Sequence, residues 1–205
     1  MRFRAVSRKL SAPISAGARG VTLLELVVSV AVALTIAGMA IPVISRTMRA
    51  YQLNDAATQV AGIVKFTRFE AIRENKPVRC INSQATALGQ ASLWSDSDGD
   101  GNEGSLEKQI LLGVSATLIS AEAAPNVSGL SSALGATLQP IDPASDSIKF
   151  DQRGAVVANP SAVYVYYIGN TSEMGGFRAV VVLPSGAVQV WTYAGGAGNG
   201  WQELS

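Results

Sequence analysis

The sequence predicts an α+β protein in which one long N-terminal helix leads into a small β-rich head. Three observations predict it. Val21 to Ile44 is an almost unbroken apolar run. From Arg46 to about Asn75 the apolar residues keep a helical period. After Pro77 the texture changes to short β-like runs separated by Gly, Ser, Asn and Asp.

Residues 1–20 form a basic segment carrying Arg2, Arg4, Arg8, Lys9 and Arg19 and no acid. Those charges hold the N-terminus in the cytoplasm and send everything after Ile44 to the other side. The apolar element, residues 21–45, reaches about 36 Å as a helix, more than the ~30 Å hydrocarbon core of a bilayer. A small residue, Gly20, lies just before this run, so cutting there would leave the helix in the mature protein, unlike an ordinary secretory signal.

The amphipathic continuation covers residues 46–76. Leu53, Ala56, Ala57, Val60, Val64 and Ala71 fall on one stripe that should carry the head. Pro77 ends the helix, and Pro42, which removes one backbone donor, is expected to kink it. Phe66 and Phe69 lie off the stripe; they read as packing under the head rather than as filament contacts.

The head, residues 77–205, is expected to contain strands near 78–82, 91–95, 109–112, 116–120, 147–150, 163–168, 178–183 and 188–193. The last two read as a hairpin turned by Pro184-Ser185-Gly186, with Val180, Val182, Val188 and Val190 alternating as in a half-buried pair. No second amphipathic helix is evident. The Ser/Ala/Gly/Pro-rich stretch between Ala121 and Asp146 has no evident place in the sheet. Gly195-Gly196-Ala197-Gly198-Asn199-Gly200 reads as a flexible tail, because it opens no helix and lacks the spacing of a phosphate-binding loop.

Composition excludes most hydrolase readings. The chain has 205 residues and no His, so neither a Ser-His-Asp nor a Cys-His arrangement can be built, and the commonest zinc ligand is missing. Cys80 is the one cysteine; no internal disulfide or thiolate cluster can form, and it reads as a small buried hydrophobe. Only 15% of residues are charged, below the roughly 25% usual in soluble domains. From Cys80 onward four bases face eleven acids, the opposite of a nucleic-acid-binding surface. No catalysis is expected.

Glu25 breaks the apolar logic, lying one turn inside a run with no other charge before Arg46. A carboxylate there is either placed near the membrane interface, helped by the helix N-terminus, or reserved for a partner. The string Gly20-Val21-Thr22-Leu23-Leu24-Glu25-Leu26, followed by an apolar helix containing Pro42, resembles the prepilin cleavage and methylation motif of type IV pilins and type II secretion pseudopilins. The resemblance implies that residues 1–20 are a prepilin leader, that a membrane prepilin peptidase cuts between Gly20 and Val21, and that Val21 is then N-methylated. The family usually has Phe where this chain has Val21. The new Val21 amine and Glu25 of an adjoining subunit would then neutralise each other in the filament core, with Thr22 and Pro42 as further assembly residues.

The head resembles the GspH/FimT group of the pilin superfamily through Ile148-Lys149-Phe150-Asp151-Gln152-Arg153-Gly154 and the hairpin from Arg178 to Val190. That resemblance implies a pilin-like fold, an inner-membrane anchor with a periplasmic head, and other pilin or pseudopilin subunits as partners. It implies a minor pseudopilin of type II secretion or, as the alternative, a minor type IV pilin. Some FimT-like members bind DNA through Gly-Arg-x-Arg in the last hairpin. Here that stretch is Gly186-Ala187-Val188-Gln189, without either arginine, and DNA binding is not expected.

One further motif concerns metal. Residues 96–107 fit the calcium-loop pattern D-x-[DN]-x-[DN]-G-x5-E at every specified position, with Asp96, Asp98, Asp100, the Asn102 carbonyl and Glu107 as candidate Ca²⁺ ligands and Gly101 at the sharp turn. The flanks read as strands rather than EF-hand helices, and Glu103 takes a place that is normally apolar. Two readings stay open: a calcium site, or an acidic Asp/Gly-rich turn between strands.

Overall fold

The computed structural model describes residues 20–84, 90–113, 115–157, 162–170, 176–193 and 200–204. The basic segment up to residue 19 and most of the glycine-rich stretch, residues 194–199, lie outside the described residues. The chain divides into two compact units, one ending at Pro42 and one beginning at Val43.

Helix α1 spans Leu23–Glu74, and its assignment is continuous through Pro42. Thr22 begins it: the Thr22 carbonyl accepts from Leu26 N–H at 3.1 Å and the Thr22 hydroxyl accepts from Glu25 N–H at 3.2 Å, which makes Thr22 the N-cap. At the other end Asn75 takes a left-handed φ of 51°, with Asn75 N–H donating to Ile72 O and Lys76 N–H to Ala71 O. That pair of bonds is a Schellman ending, and Pro77 follows it, where no helix could continue.

In the unit from Val43 onward the predicted stripe is the buried one: Leu53, Ala56, Ala57, Val60, Val64 and Ala71 are all within 5% of full burial. Phe66 and Phe69 are not under the head. They are exposed, on the face of α1 opposite the stripe, with Met48 and Tyr51.

The head is built from two sheets. Strands β1 (Val78–Ser83), β2 (Ser92–Asp96) and β3 (Gln109–Leu111) join the later strand β6 (Ser145–Phe150) in a four-stranded antiparallel sheet, in the order β3-β2-β1-β6. Strand β4 (Thr117–Ile119) belongs to the second sheet. Helix α2 (Val127–Leu134) and strand β5 (Leu138–Pro140) precede β6 (Ser145–Phe150). The chain then adds β7 (Val163–Gly169), β8 (Phe177–Val182), β9 (Val188–Tyr193) and β10 (Trp201–Glu203), giving the order β10-β9-β8-β7-β4, with β5 parallel to β7.

One core lies where the α1 stripe meets both sheets: Val78, Cys80 and Phe150 from the first, Tyr164, Tyr166, Val180 and Val182 from the second. The alternate residues of β7 and β8 face a second core. Val163, Val165, Tyr167, Ala179 and Val181 pack there with Leu130 of α2 and Trp201 of β10. The stretch from Ala121 onward is therefore not idle; α2 covers the outer face of the second sheet. This corrects the half-buried reading of the hairpin, because β8 is buried on both faces. Strands covered on both faces lose the alternating pattern that marks a half-solvated sheet.

Helix α2 has local reasons to form despite its serines. The Asn126 side chain caps it by accepting from Gly129 N–H at 3.1 Å, and Gly135, at φ 61°, ends it. The Trp201 indole N–H donates to the Pro125 and Asn126 carbonyls, fastening the last strand to this cover.

Candidate functional site

The first candidate region is the start of α1. Thr22 and Glu25 stand at the N-cap and third helical positions, the spacing of a capping box, which explains why a hydroxyl residue precedes the acid by three. The T-x-x-E spacing displays this capping role in the sequence itself, beside the assembly role expected of Thr22. From Glu25 the face continues through Ser29, Ala33 and Ala40, within an arc of about 80° at 100° per residue. Ser29 Oγ donates back to the Glu25 carbonyl at 2.7 Å, and Thr35 does the same to Ala31 at 2.8 Å, so these hydroxyls are satisfied within the helix.

Almost every large apolar side chain from Val21 to Ile44 is exposed, Leu23 at 82% and Leu34 at 68% among them. By length and composition α1 can cross a membrane. An apolar surface on this scale needs lipid or protein against it.

The second region is the acidic loop between β2 and β3, whose flanks are strands, as the sequence indicated. Asp96 ends β2 with its side chain fully buried. Asp98, Glu107 and Asp96 each bring one carboxylate oxygen within 4.8 Å of the others. Asp100 is outside this group: its Oδ1 accepts from Asn102 N–H at 2.7 Å, and that bond holds its carboxyl below the usual carboxylate range. Glu107 closes the loop, Oε1 accepting from Ser97 N–H at 2.8 Å and Oε2 from Gly104 N–H at 3.0 Å. Gly101, at φ 79°, makes the turn its place in the pattern requires. Arg79, which the twelve-residue pattern does not include, pairs with Asp96 at 2.5 Å.

The remaining reactive side chain is passive. Cys80 is fully buried, and loss of water pushes its thiol up to about 11, so it is protonated and inert at neutral pH.

A third feature, invisible in the sequence, ties the head motifs to α1. Arg68 Nε donates to the Gly154 carbonyl at 2.9 Å. The hairpin turn lies against the same carbonyl, with Gly186 N–H donating to Leu183 O and Val156 N–H to Pro184 O. Gly154 and Gly186 both have φ near 79°; a Cβ on Gly186 would run into the Gly154 carbonyl, and one on Gly154 into the side-chain ends of Ile72 and Arg68.

Fold and sites together define an architecture: a helix long and apolar enough to cross a membrane, followed by a two-sheet head. The profile of the family described as type II transport protein GspH matches residues 56–186, and the chain belongs to that family. Two crystal structures of the type IV minor pilin FimU of Pseudomonas aeruginosa are similar in part. One covers 67% of this chain and 91% of its own at 15% identity and a TM-score of 0.45. The other covers 68% and 88% at 14% identity and 0.46. No curated protein sequence matches the chain.

Proposed function

We propose that the chain is a minor pseudopilin, a structural subunit of a type II secretion pseudopilus. It is inserted in the inner membrane with its head in the periplasm, cut by a prepilin peptidase between Gly20 and Val21, methylated at Val21, and packed helix to helix with other pilin or pseudopilin subunits. The observation that carries the reading is Glu25, a lone acid on the small-residue face of an exposed apolar helix. A carboxylate in lipid is costly, ~3 kcal/mol at the centre of a spanning helix. Against the Val21 amine of a neighbouring copy it is neutralised, while Ser29, Ala33 and Ala40 let another helix approach closely. The family match, confined to residues 56–186, is independent of this N-terminal motif and supports the same reading. Within the unit from Val43 onward, Met48, Tyr51, Phe66 and Phe69 form an exposed apolar face of their own that is available for packing.

DNA uptake is not part of this function, since the last hairpin turns through Gly186-Ala187-Val188-Gln189 in an acidic head. Deleting the chain from its host is expected to retain exported enzymes in the periplasm and leave pilus-dependent motility intact. The reverse phenotype would assign it to a type IV pilus.

We further propose that residues 96–107 bind Ca²⁺ in the head. What supports this is the full twelve-residue pattern together with the approach of Asp96, Asp98 and Glu107, hard oxygen donors of the kind Ca²⁺ takes. Calorimetric titration should give heat and a raised thermal transition at millimolar calcium. Absence of both removes the site.

A further inference from the structure

The acidic loop carries a cation of its own. Arg79 and Asp96 are direct partners in the β1–β2 register. The Arg79 side chain is 36% exposed and that of Asp96 is fully buried, and Arg79 Nη2 stands 2.5 Å from Asp96 Oδ2. The same Nη2 donates to the Gly99 carbonyl at 3.1 Å and lies 3.6 Å from where a Cβ on Gly101 would sit, so the guanidinium reaches over the turn itself. The second Asp96 oxygen accepts from Gly99 N–H at 2.8 Å. The residue that opens the calcium pattern thus has one oxygen on the main chain and the other on a guanidinium. A buried carboxylate needs such a partner, and three carboxylates this close repel one another unless positive charge stands among them.

We propose that Arg79 is a tethered counter-cation. It holds the β2–β3 loop folded in the metal-free protein, and Ca²⁺ binds by displacing its guanidinium from Asp96, so Arg79 sets how weakly the loop takes metal. The second half of this statement rests on the calcium reading; the first does not. Strand pairing delivers the arginine to the loop, because Arg79 faces Asp96 across the ladder whether or not an ion is present.

The test is hydrogen–deuterium exchange of residues 96–108 in the full chain in detergent, with chelator or with millimolar calcium. Wild type should be protected in chelator. Arg79→Gln should exchange at least about tenfold faster there, recover protection on adding calcium, and bind calcium more tightly than wild type. Arg79→Lys should retain partial protection. If Arg79→Gln destabilises the head as a whole, the double variant Arg79→Gln/Asp96→Asn decides. Removing both charges should restore protection in chelator, which would not follow if Arg79 acted only by packing. Unchanged protection in Arg79→Gln, or a wild-type loop protected only with calcium, overturns the counter-cation. Loss of protection that calcium does not repair leaves the counter-cation standing and overturns displacement by metal.

Discussion

Glu25→Ala is expected to leave the protein cleaved and inserted in the membrane but absent from filaments. The substitution removes the charge that lipid disfavours, so insertion improves if it changes at all. Assembly loses the partner of the Val21 ammonium. An uncompensated charge buried between helices costs ~3 to 5 kcal/mol, which corresponds to a fall of about 100-fold or more in incorporation. Glu25→Gln separates charge from shape, since it keeps the side chain's length and polarity and should fail as Glu25→Ala does. The measurement is the amount of subunit in sheared filaments relative to membranes, by immunoblot, in a strain that supplies the other subunits. Normal incorporation of either variant contradicts the pairing.

Gly186→Ala should unfold the head more readily than Gly154→Ala or Gly99→Ala. Its added Cβ would stand 2.0 Å from the Gly154 carbonyl oxygen and 2.7 Å from Arg68 Nε, at a backbone φ of 79°. A main-chain atom at that distance cannot swing aside, so the hairpin must leave α1 or the loop after β6 must move. A loss of about 3 kcal/mol or more is expected, and a transition lowered by about 6 to 12 °C. Gly154→Ala meets the flexible ends of Ile72 and Arg68 instead and should cost less. Gly99→Ala provides the reference: it has φ of 86° and nothing within 4 Å, so only the backbone penalty of about 1 kcal/mol applies. Thermal and urea unfolding of the three variants in detergent test this order. A Gly186→Ala protein as stable as Gly99→Ala would show that the two turns are not clasped.

What the sequence made legible was whatever rests on local pattern. The stripe from Leu53 to Ala71 is buried because a 3.6-residue period fixes which side chains share a face. All eight expected strands exist, each within about two residues of its predicted bounds, because Gly, Pro and Asn punctuate them. Helix α2 escaped because two turns rich in serine are too short to display a period, although Asn126 and Gly135 mark its ends. Strands β5 and β10 have three residues each and owe their existence to β7 and β9 beside them. Phe66 and Phe69 face away from the head, contrary to expectation, because aromatic character says nothing about which side of a helix meets it.

The sites divide in the same way. Asp96, Asp98 and Glu107 come together through spacing within one loop, which a sequence displays directly. Arg79 reaches that loop through strand pairing, and Arg68, Gly154 and Gly186 meet only once α1 and both sheets are in place. Contacts of that kind leave no local trace. The capping role of Thr22 lay between these cases, visible in the spacing to Glu25 but hidden behind the stronger cleavage motif.

The intact mass of the polypeptide extracted from membranes of cells with an active prepilin peptidase bears most directly on the whole account. A chain that starts at Val21 and weighs one methyl group more than its residues is the predicted result. A chain still carrying residues 1–20 would mean that no terminal ammonium is made at Val21, and that Glu25 has nothing to meet.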